Sequence, residues 1–234
     1  MSPLQNLILG LLMCCCVNSS CRVGNEYHQS PSGEDTVYLP PPVYQGEISL
    51  EQCLDSRRSH RQYSNKTTSL IKLSQLLWSA QGISDEQSGF RTSPSAGALY
   101  PFTVYLQIIN VHNLSPGIYI YHTDGHFLEL IKPGHFESDI ADAALGQNWI
   151  KEANIIFFLT ADFNVTTSVY GSRGERYVWI EAGHIAQNIY LQATSLSLGS
   201  VAIGAYWDQQ INEILNLPVN LTCVYMVVVG ELLP

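Results

Sequence analysis

The segment 117–131 constrains the fold most strongly, because it predicts two neighbouring strands joined by a tight turn. It reads GIYIYHTDGHFLELI, with Asp124-Gly125 between two runs of β-branched and aromatic residues. An Asp-Gly pair favours the short turns that join antiparallel strands into a hairpin. The other predicted strands are single runs spaced along the chain, at 103–109, 155–160, 201–205 and 222–229.

Apolar residues at helical spacing predict helices at 50–57, 69–81, 137–145, 175–198 and 208–215. The helix at 175–198 is apolar on two sides, because Trp179 and Ile180 lie opposite the stripe that contains Ile185 and Ile189. Such a helix lies at the centre of a fold or in a subunit interface. Since strands and helices do not alternate regularly, the sequence predicts an α+β fold rather than a doubly wound parallel sheet.

The composition predicts a folded, acidic protein. The chain has 234 residues, of which 46% are hydrophobic and 13% charged, and its net charge is −9. Disordered chains carry fewer apolar residues and more charge, and an acidic chain repels a phosphate backbone. We therefore expect one large or two small globular domains, with no nucleic-acid partner.

The N-terminal region differs from the rest of the chain. Residues 1–21 contain the apolar run LILGLLMCCCV and are interpreted as a signal or anchor segment, although no Lys or Arg precedes that run. Residues 22–47 are rich in Pro and Gly and predict a linker or an arm on a surface. The packed domain is expected at 48–234. Export or membrane attachment through residues 1–21 is the favoured expectation, and a cytoplasmic protein is the alternative.

No metal site is expected. Outside the leader the chain has two cysteines, Cys53 and Cys223, and isolated cysteines in apolar sequence predict buried small side chains. Glu181 and His184 have the Glu-x-x-His spacing of di-iron ligands, but a di-iron bundle needs a second copy of that pattern and the sequence has none. These two residues are therefore predicted to be a polar pair in the core or in an interface.

Residues 57–61, Arg-Arg-Ser-His-Arg, place three of the chain's 11 basic residues within five positions. We refer to them as the arginine segment. Guanidinium groups and a serine hydroxyl are the groups that bind a phosphate, so the segment predicts an anion site. The alternative is that these cations lie at a helix C-terminus and interact with its dipole.

Two further segments are rich in small residues. The segment 92–101 reads TSPSAGALYP, and its small side chains would let a flat ligand approach the backbone, although a plain surface turn fits as well. The segment 199–205 reads GSVAIGA, a strand that ends in small residues and could present backbone N–H groups. Each segment taken by itself is a weak signal.

Four motifs in this order resemble the nitroreductase superfamily, and its SagB-type dehydrogenases most closely. They are Arg57-Arg58-Ser59-x-Arg61, Pro94 to Pro101, Tyr177-x-x-x-Glu181-Ala182-Gly183-His184, and Gly199 to Ala205. The resemblance extends over about residues 48–230. It implies a nitroreductase-like α+β fold with a central, mostly antiparallel sheet flanked by helices, in an intertwined homodimer.

The resemblance also implies noncovalent FMN at the interface of the two subunits. By position, the FMN phosphate and ribityl chain would be held by Arg57, Arg58, Ser59 and Arg61. The isoalloxazine ring would be lined by the partner's Pro94, Ser95, Ala96 and Gly97, with backbone N–H groups near N5 and O4 from Gly204 and Ala205. Many members add a basic pair after the last strand, whereas this sequence reads ELLP at 231–234, so the phosphate is expected to rest on the arginine segment alone.

The activity that the resemblance implies is hydride transfer between NAD(P)H and a small organic acceptor, with ping-pong kinetics. Two alternatives stay open, namely a SagB-like dehydrogenase that oxidises azoline rings in a modified peptide, and a flavin-binding module without catalysis. Tyr170 and Arg173 are candidates for substrate contact. No side chain is predicted as general acid or base.

Overall fold

The computed structural model describes residues 35–234, so the predictions for 1–21 and for the first part of the 22–47 arm lie outside the described residues. In this part of the chain the helices are α1 (Leu50–Ser56), α2 (Leu70–Gln81), α3 (Glu137–Ala143), α4 (Phe163–Tyr170), α5 (Arg173–Ser195) and α6 (Asp208–Leu215). The strands are β1 (Thr36–Tyr38), β2 (Ile83–Asp85), β3 (Phe90–Arg91), β4 (Phe102–Ile108), β5 (Gly117–His122), β6 (Phe127–Pro133), β7 (Ile155–Ala161), β8 (Leu198–Ile203) and β9 (Thr222–Glu231).

Seven strands form one sheet in the order β1-β6-β5-β4-β7-β9-β8, and β2 pairs with β3 separately. Each neighbouring pair in the large sheet is antiparallel. β5 and β6 form the predicted hairpin, in which His122 pairs with Phe127 across the turn. The α+β class and the antiparallel sheet are therefore confirmed.

The sheet is covered on both faces, and β7 is buried at every position. Successive residues of a strand point to opposite faces. Phe157 accordingly packs in a cluster with Leu76 of α2 and Ile189 of α5, while Phe158 packs in a second cluster with Ile140 of α3. The protein thus has three layers, with the sheet between α2 and α5 on one side and α3 and α6 on the other.

Local sequence explains where α1 and α2 begin and end. Ser49 precedes α1 and forms a capping box with Gln52, each side chain binding the other residue's backbone N–H. Ser69 precedes α2 and accepts a hydrogen bond from the N–H of Lys72. α2 ends at Gln81, the residue at which the predicted helix also ends, and Gly82 follows it.

Several elements differ from the sequence prediction, and β2 and β3 are among those that were not predicted. β8 begins at Leu198 and ends at Ile203, because its partners on β9 extend from Glu231 to Met226; the predicted strand covered 201–205. α4 lies in a segment that the sequence left without a helix. β1 lies in the predicted arm, where three residues pair with β6. None of the helices described for residues 35–234 is long and apolar enough to span a bilayer.

Candidate functional site

The arginine segment lies along the edge of the large sheet, beside β8. The backbone N–H of His60 donates a hydrogen bond of 3.0 Å to the carbonyl of Ser200, and Ser59 forms an isolated parallel bridge with Ser200. Gly199 permits this approach, since a Cβ there would lie 3.0 Å from Cβ of His60. Backbone contacts therefore fix the segment on an edge strand that would otherwise be open.

Tyr190 of α5 connects the arginine segment to β8. Its hydroxyl accepts a hydrogen bond of 2.6 Å from the N–H of Ala202 and lies 3.4 Å from the hydroxyl of Ser59. The guanidinium of Arg57 lies over the Tyr190 ring, 5.2 Å from its centre, which is a cation–π distance. Tyr190 thus brings together two motifs that are far apart in sequence. Sequence reasoning did not identify it as a site residue, because its only signal was an apolar position on a long helix.

The three arginines have no carboxylate partner among residues 35–234, where the ion pairs are Lys72–Glu231, His122–Glu129 and His135–Glu137. Arg58 Nη1 donates to the backbone carbonyls of Asp55 and Arg57, at 2.8 and 2.7 Å, so it also caps the end of α1. The Arg61 guanidinium lies 5.9 Å from the centre of the Trp149 ring. Arg58 and Arg61 are exposed and Arg57 is half-buried, which leaves guanidinium donors available to an anion.

Gly204 and Ala205 follow the last paired residue of β8 and are exposed. The nearest atom to a Cβ built on Gly204 is a ring carbon of Tyr225 at 3.8 Å, an ordinary contact distance. Packing therefore does not require glycine at this position. The carbonyl of Ala205 accepts a hydrogen bond of 3.2 Å from the side chain of Gln147, two residues before Trp149 in the chain.

The segment Pro94–Gly97, which we call the small-residue loop, leads into a short 3₁₀ turn at Ala96–Ala98. Gly97 has φ 62°, in the left-handed region that glycine adopts without strain. A Cβ at Gly97 would lie 2.6 Å from the hydroxyl oxygen of Tyr170, at the end of α4. Tyr170, predicted to contact substrate, thus packs against this loop and excludes a side chain at position 97.

One face of α5 holds the small-residue loop and the residues before it. Positions 181, 184 and 188 are three and four residues apart and share a helix face. The hydroxyl of Ser95 donates to Glu181, and the side chains of His184 and Asn188 donate to backbone carbonyls. The three contacts are Ser95 with Glu181 at 2.6 Å, His184 with Pro94 at 3.3 Å and Asn188 with Thr92 at 3.2 Å.

Glu181 is an unusual residue on this face, because an ionisable residue that is only 2% exposed is rare. Oε2 accepts the bond from Ser95, whereas Oε1 has no hydrogen-bond partner within residues 35–234. Burial raises the pKa of this carboxyl to about 7, against the hydrogen bond from Ser95, the charge of Arg91 and the polar side chain of Gln81, which all lower it. In the described part of the chain, no group of three or more His, Cys, Asp or Glu side chains could hold a metal ion.

The small-residue loop and the arginine segment lie on different sides of α5. A helix turns by about 100° per residue, so Tyr190 lies about 180° around the axis from Glu181. Glu181 contacts the small-residue loop and Tyr190 contacts Arg57. The exposed side of the helix between them carries Ile180, and the body of the helix separates the two segments within one chain.

This fold, with the four motifs placed around β8 and α5, defines an oxidoreductase of the nitroreductase type. The nitroreductase family model matches residues 54–231, and the chain belongs to that family. A nitroreductase-family protein of Methanocaldococcus jannaschii is 43% identical over 183 residues, covering 78% of this chain and 91% of the relative. The trifolitoxin operon protein TfxC of Rhizobium leguminosarum bv. trifolii is 27% identical, covering 79% of this chain and 56% of TfxC.

Two solved nitroreductase-family structures share the fold. The protein from Ralstonia eutropha superposes with a TM-score of 0.75 at 26% identity, covering 86% of this chain and 90% of its own. The protein from Anabaena variabilis also gives 0.75, at 28% identity and 85% coverage, and this chain spans 42% of its length.

Proposed function

We propose that this protein is an FMN-dependent oxidoreductase that transfers hydride between NAD(P)H and a small organic acceptor. The observation that carries the proposal is the position of the arginine segment. Its three arginines have no carboxylate partner within residues 35–234. Arg57 lies over the ring of Tyr190, whose hydroxyl accepts a hydrogen bond from the N–H of Ala202 near the end of β8. Membership of the nitroreductase family supports the same assignment.

The donors present fit the phosphate of FMN. Arg57, Arg58 and Arg61 would bind its oxygens through charge-assisted hydrogen bonds, with Ser59 adding a hydroxyl. Their stacking on Tyr190 and Trp149 orients two of the three guanidinium groups before any ligand binds. Each such hydrogen bond to a charged group contributes about 1.5–3 kcal/mol to the free energy of binding.

The small groups fit a flat ring. The backbone N–H groups of Gly204 and Ala205 would donate to the ring edge at N5 and O4, where oriented dipoles stabilise negative charge. The small-residue loop of the partner subunit would cover a face of the ring. When bound, FMN supplies the two-electron centre that accepts hydride from NAD(P)H and passes it to the acceptor. Because donor and acceptor would occupy the same place in turn, we expect ping-pong kinetics.

The site would be shared between the two subunits of a homodimer, because the small-residue loop and the arginine segment lie on different sides of α5 in one chain. Two exposed features of α5 support a second copy there. Trp179 and Ile180 are 57% and 49% exposed, unusually high for large apolar side chains. Gly183 lies in the middle of the helix, and within residues 35–234 no atom beyond its own stretch of helix lies within 4 Å of the position of its missing Cβ. Glycine there costs helix stability, and the described residues of this chain give no packing reason for it.

A modified peptide is the alternative acceptor or donor. The four motifs resemble SagB-type dehydrogenases, and TfxC belongs by name to the operon of a toxin. An azoline-containing peptide that is converted to the azole as the flavin is reduced would support this alternative. A nitroaromatic or quinone that reoxidises the reduced protein would support the first proposal.

The test is an anaerobic absorbance titration of the full-length protein. We expect a yellow protein, as purified or after addition of FMN, with one FMN per subunit after gel filtration, and bleaching of the flavin bands by NADPH or NADH. A flavin that binds but is not reduced by either nucleotide or by peptide would favour a binding module without catalysis. A colourless protein that retains no FMN would overturn the proposal.

A further inference from the structure

The hydroxyl of Ser95 lies between the buried carboxyl of Glu181 and the surface of the small-residue loop. It is 2.6 Å from Glu181 Oε2, and it accepts a hydrogen bond of 2.9 Å from the backbone N–H of Tyr100. A serine hydroxyl has one proton to donate and two lone pairs that accept. With Tyr100 occupying one lone pair, the protonation state of Glu181 determines where the single hydroxyl proton points.

Two arrangements of this contact are possible. An ionised Glu181 can only accept, so the Ser95 proton must point inward to Oε2. A neutral Glu181 can donate its own proton to the second lone pair of Ser95, and the serine proton is then free to point outward. Oε1 has no hydrogen-bond partner within residues 35–234, so besides the Ser95 hydrogen bond only the nearby side chains of Arg91 and Gln81 favour the ionised form there.

We propose that Glu181 is a positioning residue for the Ser95 hydroxyl, and that its neutral form turns this hydroxyl outward to donate a hydrogen bond to the flavin ring of the partner subunit. The inference rests on the proposed function, because it takes the small-residue loop to line that ring. Flavin binding and protonation of Glu181 are then linked, so that each favours the other.

The charged and titratable groups near Glu181 are Arg91, Tyr100 and His184, and the polar side chain of Gln81 lies among them. Arg91 of β3 stacks on Tyr100 at 4.7 Å, and its Nη1 donates to Gln81 of α2 at 2.8 Å. His184 lies on α5 itself and is bonded to the carbonyl of Pro94. The positive charge of Arg91 lowers the pKa of Glu181, but burial outweighs it and holds that pKa near neutrality. Both protonation states are therefore accessible near pH 7.

The first measurement follows the Glu181 carboxyl carbon by NMR in protein labelled with ¹³C at glutamate, before any flavin is added. Glu181→Gln identifies the signal. We expect a titration midpoint about two units above that of the exposed glutamates, and a further increase in Ser95→Ala, because the serine hydrogen bond lowers the pKa of Glu181. A Glu181 signal that titrates with the exposed glutamates would overturn the inference.

The second measurement is the dissociation constant of FMN between pH 5.5 and 8.5, by quenching of flavin fluorescence. The side-chain amide introduced by Glu181→Gln would donate an N–H to Ser95 at every pH, so this substitution gives a permanently neutral variant. The ratio of the wild-type constant to the Glu181→Gln constant is expected to be about one at pH 5.5 and to increase about 3- to 10-fold by pH 8.5. Using this ratio cancels the titration of the FMN phosphate itself.

Two controls separate positioning from a structural role. At every pH, Ser95→Ala should bind FMN as weakly, relative to Glu181→Gln, as the wild type does at pH 8.5. The double variant Ser95→Ala/Glu181→Gln should bind FMN with the same dissociation constant as Ser95→Ala. In the His184→Gln background, the ratio of the dissociation constants without and with Glu181→Gln should increase with pH as it does in the wild-type background. FMN binding with a ratio that stays constant over pH would overturn this inference and leave the proposed function standing. No FMN binding by the wild-type protein would overturn both.

Discussion

Tyr190 and Ala202 are joined by a hydrogen bond of 2.6 Å, from the backbone N–H of β8 to the tyrosine hydroxyl of α5. Among residues 35–234, β8 is the last strand of the sheet, so its outward N–H groups have no further strand there to pair with. The tyrosine satisfies one of them and lies close to Ser59 at the same time. The geometry of the proposed phosphate site therefore depends on a side chain that is not one of its predicted ligands.

Tyr190→Phe is expected to destabilise the protein by about 1–3 kcal/mol, because the N–H of Ala202 loses its acceptor in a partly buried place. Urea unfolding at pH 7 measures the change. The matched control is Tyr177→Phe on the same helix, since the Tyr177 hydroxyl has no hydrogen bond within residues 35–234 and its ring contact with Tyr170 is retained. Equal unfolding midpoints for both variants would contradict the role of Tyr190.

Arg58→Ala is expected to weaken FMN binding by about 10- to 150-fold, because one charge-assisted contact to phosphate contributes roughly 1.5–3 kcal/mol. Fluorescence titration with FMN measures the effect, and titration with riboflavin, which lacks the phosphate, should show little difference. Lys66→Ala removes an exposed positive charge elsewhere and serves as the control. If the two variants bound FMN equally well, the assignment of Arg58 to the phosphate would be wrong.

Gly97→Ala is expected to destabilise the protein more than Gly146→Ala. Both glycines have positive φ, 62° and 75°, so both substitutions introduce backbone strain. At Gly97 the new Cβ would collide with the Tyr170 hydroxyl oxygen at 2.6 Å, whereas at Gly146 no atom of residues 35–234 other than its chain neighbours lies within 4 Å. Adding Tyr170→Phe should recover part of the loss at Gly97. Thermal unfolding of these variants measures the losses of stability. If Gly97→Ala lost more stability than Gly146→Ala by an amount that Tyr170→Phe left unchanged, the collision would be excluded.

Glu181 is expected to make the protein less stable as pH rises. Its pKa is about 7 in the folded state against 4.5 for the exposed group, so the folded state binds the proton more tightly. Its favourable contribution to the free energy of unfolding is complete below about pH 4.5 and is lost as pH rises through about 7. The total loss is up to about 3 kcal/mol. Urea unfolding between pH 4.5 and 8 should show this extra loss in the wild type and not in Glu181→Gln. Parallel pH profiles would contradict it.

The elements that the sequence predicted best are those whose signals are local. The Asp124-Gly125 turn defined the hairpin, and the apolar stripe of α5 defined the long helix within a few residues of its ends. β1 and the ends of β8 depend on pairing with β6 and β9, which neighbouring residues do not encode. α4 is a short helix whose only strong local signal is Asp162, which caps it.

The candidate site divides in the same way. Residue type made the arginine segment a candidate anion site beside one alternative, and the small-residue loop was a weak signal by itself. The resemblance to the nitroreductase superfamily is what joined the two into one predicted site. The connection through Tyr190, and the position of the loop on the other side of α5, are relationships between distant segments. Only the folded chain contains them, and they are what favours a site built from two subunits.

The most direct test of the central claim, that each FMN is held by the arginine segment of one subunit and the small-residue loop of the other, uses two variants with different affinity tags. Arg58→Ala and Gly97→Val should each bind little FMN as homodimers. In the heterodimer isolated through both tags, one site carries both substitutions and the other carries none. We predict one FMN per heterodimer, at wild-type affinity. A heterodimer that binds no FMN would contradict the shared site.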